Sequence, residues 1–175
     1  MKNTKKMKKT VLSIILFLSV GLLIYSFTKA PKQGFSKEAL SEKLLSNDGK
    51  QVVFKDVLKK YKGKTLVIEV WASWCGDCVK AMPKVHELQN NNPDVSFLFV
   101  SMDKTADKWK AGIEKYELKG RHIMANDGMQ GVFGKAIDLD WIPRYIIVDK
   151  TGKIVLYRAI ETDFDQINET LKKLK

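Results

Sequence analysis

The chain has 175 residues, two cysteines, two histidines and a formal charge of +11, which suits one ordinary domain with little left over. At 45% hydrophobic and 29% charged it falls outside the disordered, collagen-like and multi-span membrane classes. Residues 1–30 hold six lysines and no acid, so the remainder is only mildly basic, with 25 basic and 20 acidic groups. No lysine/arginine stripe is interleaved with aromatics, and nucleic acid is not an indicated partner.

The amino terminus accounts for the charge. Residues 1–10 are a lysine cluster, and residues 11–27 (VLSIILFLSVGLLIYSF) carry no charged side chain. As a helix that run spans about 25 Å, at the short end of the membrane-spanning range but longer than the usual signal-peptide core. Five lysines before it and one just after predict a cytoplasmic amino end and an external remainder. An uncleaved single-pass anchor is favoured over a cleaved signal. Ala30 suits a −1 position, but Thr28 is a poor −3 residue and Pro31 obstructs at +1. No cysteine lies near enough for a lipid anchor. Export to the outer side of the cytoplasmic membrane is the expectation, with residues 28–35 as linker and 36–175 as the catalytic domain.

Residues 36–175 alternate between strand and helix patterns. Asp48 and Gly49 signal a hairpin turn, with 51–54 as its outgoing strand. Residues 56–61 read as a short helix closed by Gly63, and 66–72 (LVIEVWA) as a central strand buried on both faces. Residues 78–91 read as a helix kinked at Pro83, and 95–102 as the next buried strand. An amphipathic helix over 105–118 turns Trp109, Ile113 and Tyr116 to its apolar side. A short helix around 128–137 precedes strands at 144–148 and 154–160, joined by the turn 149–152. An amphipathic helix over 164–174 closes the chain.

Both cysteines lie in residues 75–78 (CGDC), where a predicted strand gives way to a predicted helix. A disulfide closing so short a loop removes little chain entropy, so a structural role is weak. The helix N-terminus supplies free N–H groups and positive potential that favour a thiolate on Cys75. Cys78, almost one turn further in, is expected to be shielded and to resolve a mixed disulfide formed by Cys75. Half of a zinc site is the competing reading. It needs two more ligands, and only His86 and His122 exist, without partner spacing, so no metal is assigned.

Residues 71–78 (WASWCGDC), preceded by TLVIEV and followed by Met82 and Pro83, resemble the thioredoxin superfamily. Within it they resemble the membrane-anchored TlpA and ResA type of extracytoplasmic thiol–disulfide oxidoreductase. The likeness runs from about Gly49 to the end. It takes in the DGK hairpin, KGK at 62–64, VSMD at 100–103 and WIPRYIIVDKTGKIV at 141–155. It implies an α/β thioredoxin-like fold, a central mixed sheet flanked by helices with an amino-terminal hairpin extension. It also implies dithiol–disulfide exchange on oxidised protein substrates, apocytochrome c thiols or other envelope proteins. Electrons would come from a membrane-embedded thiol donor, and no cofactor is needed.

Further positions acquire roles from that resemblance. Glu69 lies six residues before Cys75, where thioredoxins keep a buried acid, and a carboxylate inside LVIEVW is costly to bury without a task. It is expected to take the Cys78 proton. The bland alternative is a glutamate reaching solvent at the sheet margin. The lysine of thioredoxin's neighbouring strand is missing here, and Ala81 replaces the acid that ResA-type proteins place after the second cysteine. Pro143 stands where the superfamily keeps a cis-proline facing the cysteines, leaving the Ile142 backbone to pair with substrate. Trp71 reads as core and Trp74 as exposed docking surface, while Gly76 and Asp77 tune the redox pair. His86, His122 and the methionines read as helix surface, loop and core.

Three rivals remain for the same residues. A disulfide-forming oxidant shares the fold and the cysteine pair. Peroxiredoxins need Pro and Thr where this chain has Ile68 and Ala72. A copper-binding chaperone using Cys75 and Cys78 would favour a CxxxC pair and a distal histidine, neither of which is evident.

Overall fold

The apolar run LVIEVW forms the strand about which the rest of the sheet is arranged. In the computed structural model, which describes residues 32–175, that strand is Leu66–Trp71, and all six residues are buried. We number strands β1 Lys43–Ser46, β2 Gln51–Val53, β3 Leu66–Trp71, β4 Ser96–Ser101, β5 Arg121–Met124, β6 Arg144–Val148 and β7 Ile154–Ala159. Helices are α1 Lys37–Ser41, α2 Phe54–Lys59, α3 Gly76–Asn91, α4 Ala106–Lys115, α5 Val132–Ala136 and α6 Phe164–Lys173.

The strands form one mixed sheet in the order β2-β1-β5-β4-β3-β6-β7. β3 pairs parallel with β4 and antiparallel with β6, so its side chains meet neighbours on both sides. β4 pairs parallel with β5, and the β1–β2 hairpin adds to the β5 edge antiparallel. Gly49, at φ +83°, supplies the left-handed residue that the hairpin turn requires. The fold class expected from the sequence is the one observed.

Several details differ. β5 was not anticipated, because Arg121–Met124 is short, opens on a charged residue and has no β-alternation. Its place comes from pairing with β4 at Leu98–Arg121 and Phe99–His122. His122 is accordingly a buried strand residue rather than a loop residue, and its ring stacks on Phe99 with centroids 5.0 Å apart. Phe54, read as the end of a strand, begins α2 and inserts into the core against Phe35 and Phe133. α1 was also unassigned. It is short, capped by the Ser36 hydroxyl accepting from the Ala39 N–H.

Helix α3 starts at Gly76, two residues before the expected boundary, and continues through Pro83 to Asn91. It buries Cys78, Ala81, Met82, Val85 and Leu88, the spacing of one helical face. Among the described residues no helix is long and apolar enough to cross a membrane. The expected anchor at 11–27 lies outside them.

Candidate active site

The site is built at the C-terminal end of β3, where strand gives way to the turn at Ala72–Cys75 and then to α3. Cys75 is the N-cap of α3, and its Sγ accepts a hydrogen bond from the Cys78 N–H at 3.1 Å. Cys75 and Cys78 are joined as a disulfide with Cα atoms 5.3 Å apart. Cys75 keeps 6% of its surface exposed and Cys78 none. Cys78 is shielded as the sequence indicated, and Cys75 is nearly so, the Ile142 carbonyl oxygen lying 3.5 Å from its Sγ.

The turn itself is pinned from the loop after β4. Asp103 is fully buried, and its carboxylate accepts from the Ser73 N–H at 3.1 Å, the Ser73 hydroxyl at 2.7 Å and the Ser101 hydroxyl at 2.8 Å. Trp71 lies beneath the turn, fully buried, and Trp74 projects beyond it with 58% of its surface exposed. The burial of Trp71 and the exposure of Trp74 are as the sequence indicated.

Glu69 does not escape to a sheet margin. It sits mid-strand in β3, 1% exposed, directly opposite Tyr145 of β6 in the antiparallel register. The Tyr145 hydroxyl donates to Glu69 Oε1 at 3.3 Å, and Oε2 has no hydrogen-bond partner among the described residues. Burial pushes the Glu69 carboxyl up to about 8, against a smaller opposing effect of the Tyr145 hydrogen bond. A carboxyl in that condition holds its proton at neutral pH and exchanges it near pH 8.

Around the pair runs a groove of about 340 Å³, lined by Trp74, Cys75, Gly76, Asp77, Met129, Asp140, Trp141 and Ile142. The Ile142–Pro143 bond is cis, and the Ile142 carbonyl faces Cys75 Sγ at 3.5 Å. Gly76 sits in open space, where an added Cβ would meet nothing within 4 Å. The Asp77 carboxylate is 3.4 Å from Lys80 Nζ on the exposed side of α3.

Trp141, Met129, Tyr145 and Asp103 were not singled out in the sequence. Trp141, half exposed beside Ile142, extends the apolar wall that Trp74 begins on the other side of the groove. Its signal was present as a tryptophan preceding the Ile-Pro pair. Tyr145 could have been found by pairing the two strands through Pro143. Asp140 is held by both Arg144 and Arg158, which fixes that wall from behind.

Comparison with known proteins agrees with this geometry. Residues 27–171 match the family described as Redoxin. The thiol–disulfide oxidoreductase ResA of Bacillus thuringiensis subsp. konkukian is 29% identical over 178 residues, covering 99% of both chains. Among solved structures, a thiol–disulfide oxidoreductase from Bacteroides fragilis is similar with a TM-score of 0.65 and 22% identity, covering 77% of this chain and 96% of that one. Mycobacterium tuberculosis DsbF is similar with a TM-score of 0.61 and 21% identity, over 79% and 98% of the two chains. These two likenesses speak for the fold. With a cysteine pair at a helix N-terminus, a full-length ResA relative and a family match over most of its length, the chain belongs to the redoxin family and is a protein dithiol–disulfide oxidoreductase.

Proposed function

We propose that the protein is a membrane-tethered reductase of disulfides in extracytoplasmic proteins, apocytochrome c thiols among the substrates in view. The observation that carries the direction is the surroundings of Cys75 Sγ. The Ile142 carbonyl 3.5 Å away accepts from an S–H but repels a negative sulfur, which opposes the positive potential of the α3 N-terminus. The Cys78 N–H is the one hydrogen-bond donor to that sulfur among the described residues. A weakly stabilised thiolate makes the dithiol form give up its electrons readily.

In the forward reaction the Cys75 thiolate attacks one sulfur of a substrate disulfide. The substrate's S–S bond breaks, and a Cys75–substrate bond forms as the other substrate sulfur leaves as thiolate. Cys78 then loses its proton to Glu69 in its ionised form, which grows as pH approaches 8, and attacks Cys75 Sγ. The second substrate thiolate departs, so the substrate gains two electrons and the enzyme ends as the Cys75–Cys78 disulfide. A membrane-embedded dithiol returns the pair to the reduced state. Trp74 and Trp141 flank the groove and take apolar substrate side chains, while the backbone at Ile142, set by Pro143, aligns an extended segment.

The test is trapping in the living cell. Cys78→Ser is expected to accumulate mixed disulfides through Cys75 with extracytoplasmic proteins, whereas Cys75→Ser accumulates none. In cells lacking the protein those partners should collect in oxidised form. Partners that collect reduced would establish the disulfide-forming oxidant instead.

A further inference from the structure

The end of the sheet remote from the cysteines carries a second surface. β3 begins beside one turn and ends at the redox turn, so its six residues separate the two by about 20 Å. At its start, residues 60–64 (KYKGK) adjoin the β6–β7 turn, residues 149–153, through a hydrogen bond from the Gly63 N–H to the Lys150 carbonyl at 3.0 Å. Lys60, Lys62, Lys64, Lys150 and Lys153 are all exposed there, and none is in an ion pair among the described residues.

The nearby acids balance them only in part. Asp56 is paired with Lys59 at 2.8 Å. Asp149 accepts from the Thr151 hydroxyl at 2.6 Å and from the Thr151 and Lys153 N–H groups at 2.9 Å. Asp94, ahead of β4, is the exposed acid on the same end of the sheet.

The segment leading into the domain touches this place at Gln33, while Lys32 ahead of it bonds Asp138 at 2.7 Å and the Tyr157 hydroxyl at 2.9 Å further along β7. The Gln33 carbonyl accepts from the N–H of Ile154, the first residue of β7, at 3.0 Å. Five residues lie between Gln33 and Phe27, the end of the predicted anchor, and fully extended the link reaches at most about 20 Å. That reach leaves a bilayer surface able to approach these lysines, whose charge exceeds that of Asp94 and Asp149, to within a screening length of about 8 Å at physiological salt.

We propose that this lysine pole docks on the anionic phospholipid headgroups of the membrane to which the chain is tethered. Docking turns the Cys75–Cys78 end away from the bilayer, toward proteins in the space outside. The inference rests on the membrane-tethered reading above. Recharging by a membrane-embedded donor needs the opposite orientation, so the docking must be reversible, as contacts made by exposed lysines in salt are.

The full chain is incorporated into vesicles of pure phosphatidylcholine and of phosphatidylcholine mixed with phosphatidylglycerol. Acylation of each lysine by a water-soluble amine reagent is then followed by mass spectrometry. Labelling of Lys62, Lys64, Lys150 and Lys153 is expected to slow about fivefold or more on the anionic vesicles, each lysine adding to the docked population. Lys80, at the redox end, serves as internal reference and stays unchanged. Raising salt to about 1 M, where the screening length is about 3 Å, should restore the rate. Equal labelling on both vesicle types, or protection that salt does not relieve, overturns the docking. Protection of Lys80 in place of the four overturns the orientation. Flotation with the neutral vesicles reports separately on the tether. If flotation fails there while the four lysines are still protected on anionic vesicles, the docking stands and the tether reading falls.

A charge-reversed chain, Lys62→Glu with Lys64→Glu, Lys150→Glu and Lys153→Glu, should lose the difference between vesicles. These exposed positions touch none of the redox machinery, so its disulfide reduction in solution should match the parent and show that it is folded.

Discussion

At the scale of single residues, Glu69 makes the sharpest demand. Its ordinary value of 4.5 is raised to about 8 by burial, so between those values the folded chain holds a proton that the unfolded chain has released. Stability therefore falls as pH rises from about 4.5 to about 8, and is level on either side. Glu69→Gln removes that penalty and should be more stable than the parent by something on the order of 3 kcal/mol at pH 7, with no gain at pH 4. Urea unfolding at the two pH values checks this. The same variant should resolve mixed disulfides about 10-fold more slowly, and lose the rise in resolution rate that the parent shows toward pH 8. A variant that resolves at the parental rate would leave Glu69 a structural acid. Six residues before a cysteine, inside an apolar strand, this carboxyl was legible in the sequence. Its partner Tyr145 was not, because the contact depends on the β3–β6 register and the two residues are far apart along the chain.

At the scale of elements, the redox turn is held between two supports. From the loop after β4, Asp103 fixes Ser73 by its N–H and hydroxyl. From α4, Gly112 brings the helix backbone so close that a Cβ there would sit 2.8 Å from Ser73 Cβ and 3.1 Å from the Trp71 ring. Gly112→Ala must push the helix or the turn aside, since Trp71 is packed in the core and Ser73 is bonded. We expect a loss of about 1–3 kcal/mol in urea unfolding, as for other overpacked sites. An unchanged midpoint would mean that α4 is not seated on the turn. The buried strands β3 and β4 were readable from their continuous apolar runs, and α3, α4 and α6 from their helical spacing. β5 was hidden for a physical reason. A four-residue strand acquires its conformation from the pairing of β1 and β4 on either side, and its own sequence carries no alternation. His122 was misread with it.

At the scale of the whole molecule, the redox pair and its apolar groove occupy one end of the sheet, and the exposed lysines of two turns occupy the other. The first was legible because its chemistry is concentrated in eight consecutive residues and one Ile-Pro pair. The second was not, because its lysines come from two turns about 90 positions apart that only the sheet brings together. The direction of electron flow is the central claim, and it follows from how poorly the site stabilises the Cys75 thiolate. Asp77 adds to that at close range, though its carboxylate shares its field with Lys80. The most direct test is an equilibrium titration of the purified full chain against a thiol redox buffer at pH 7, following the Cys75–Cys78 disulfide. We expect a potential below about −200 mV, on the reducing side toward the −270 mV of thioredoxin. A value near about −120 mV, that of a strong disulfide-forming oxidant, would contradict it.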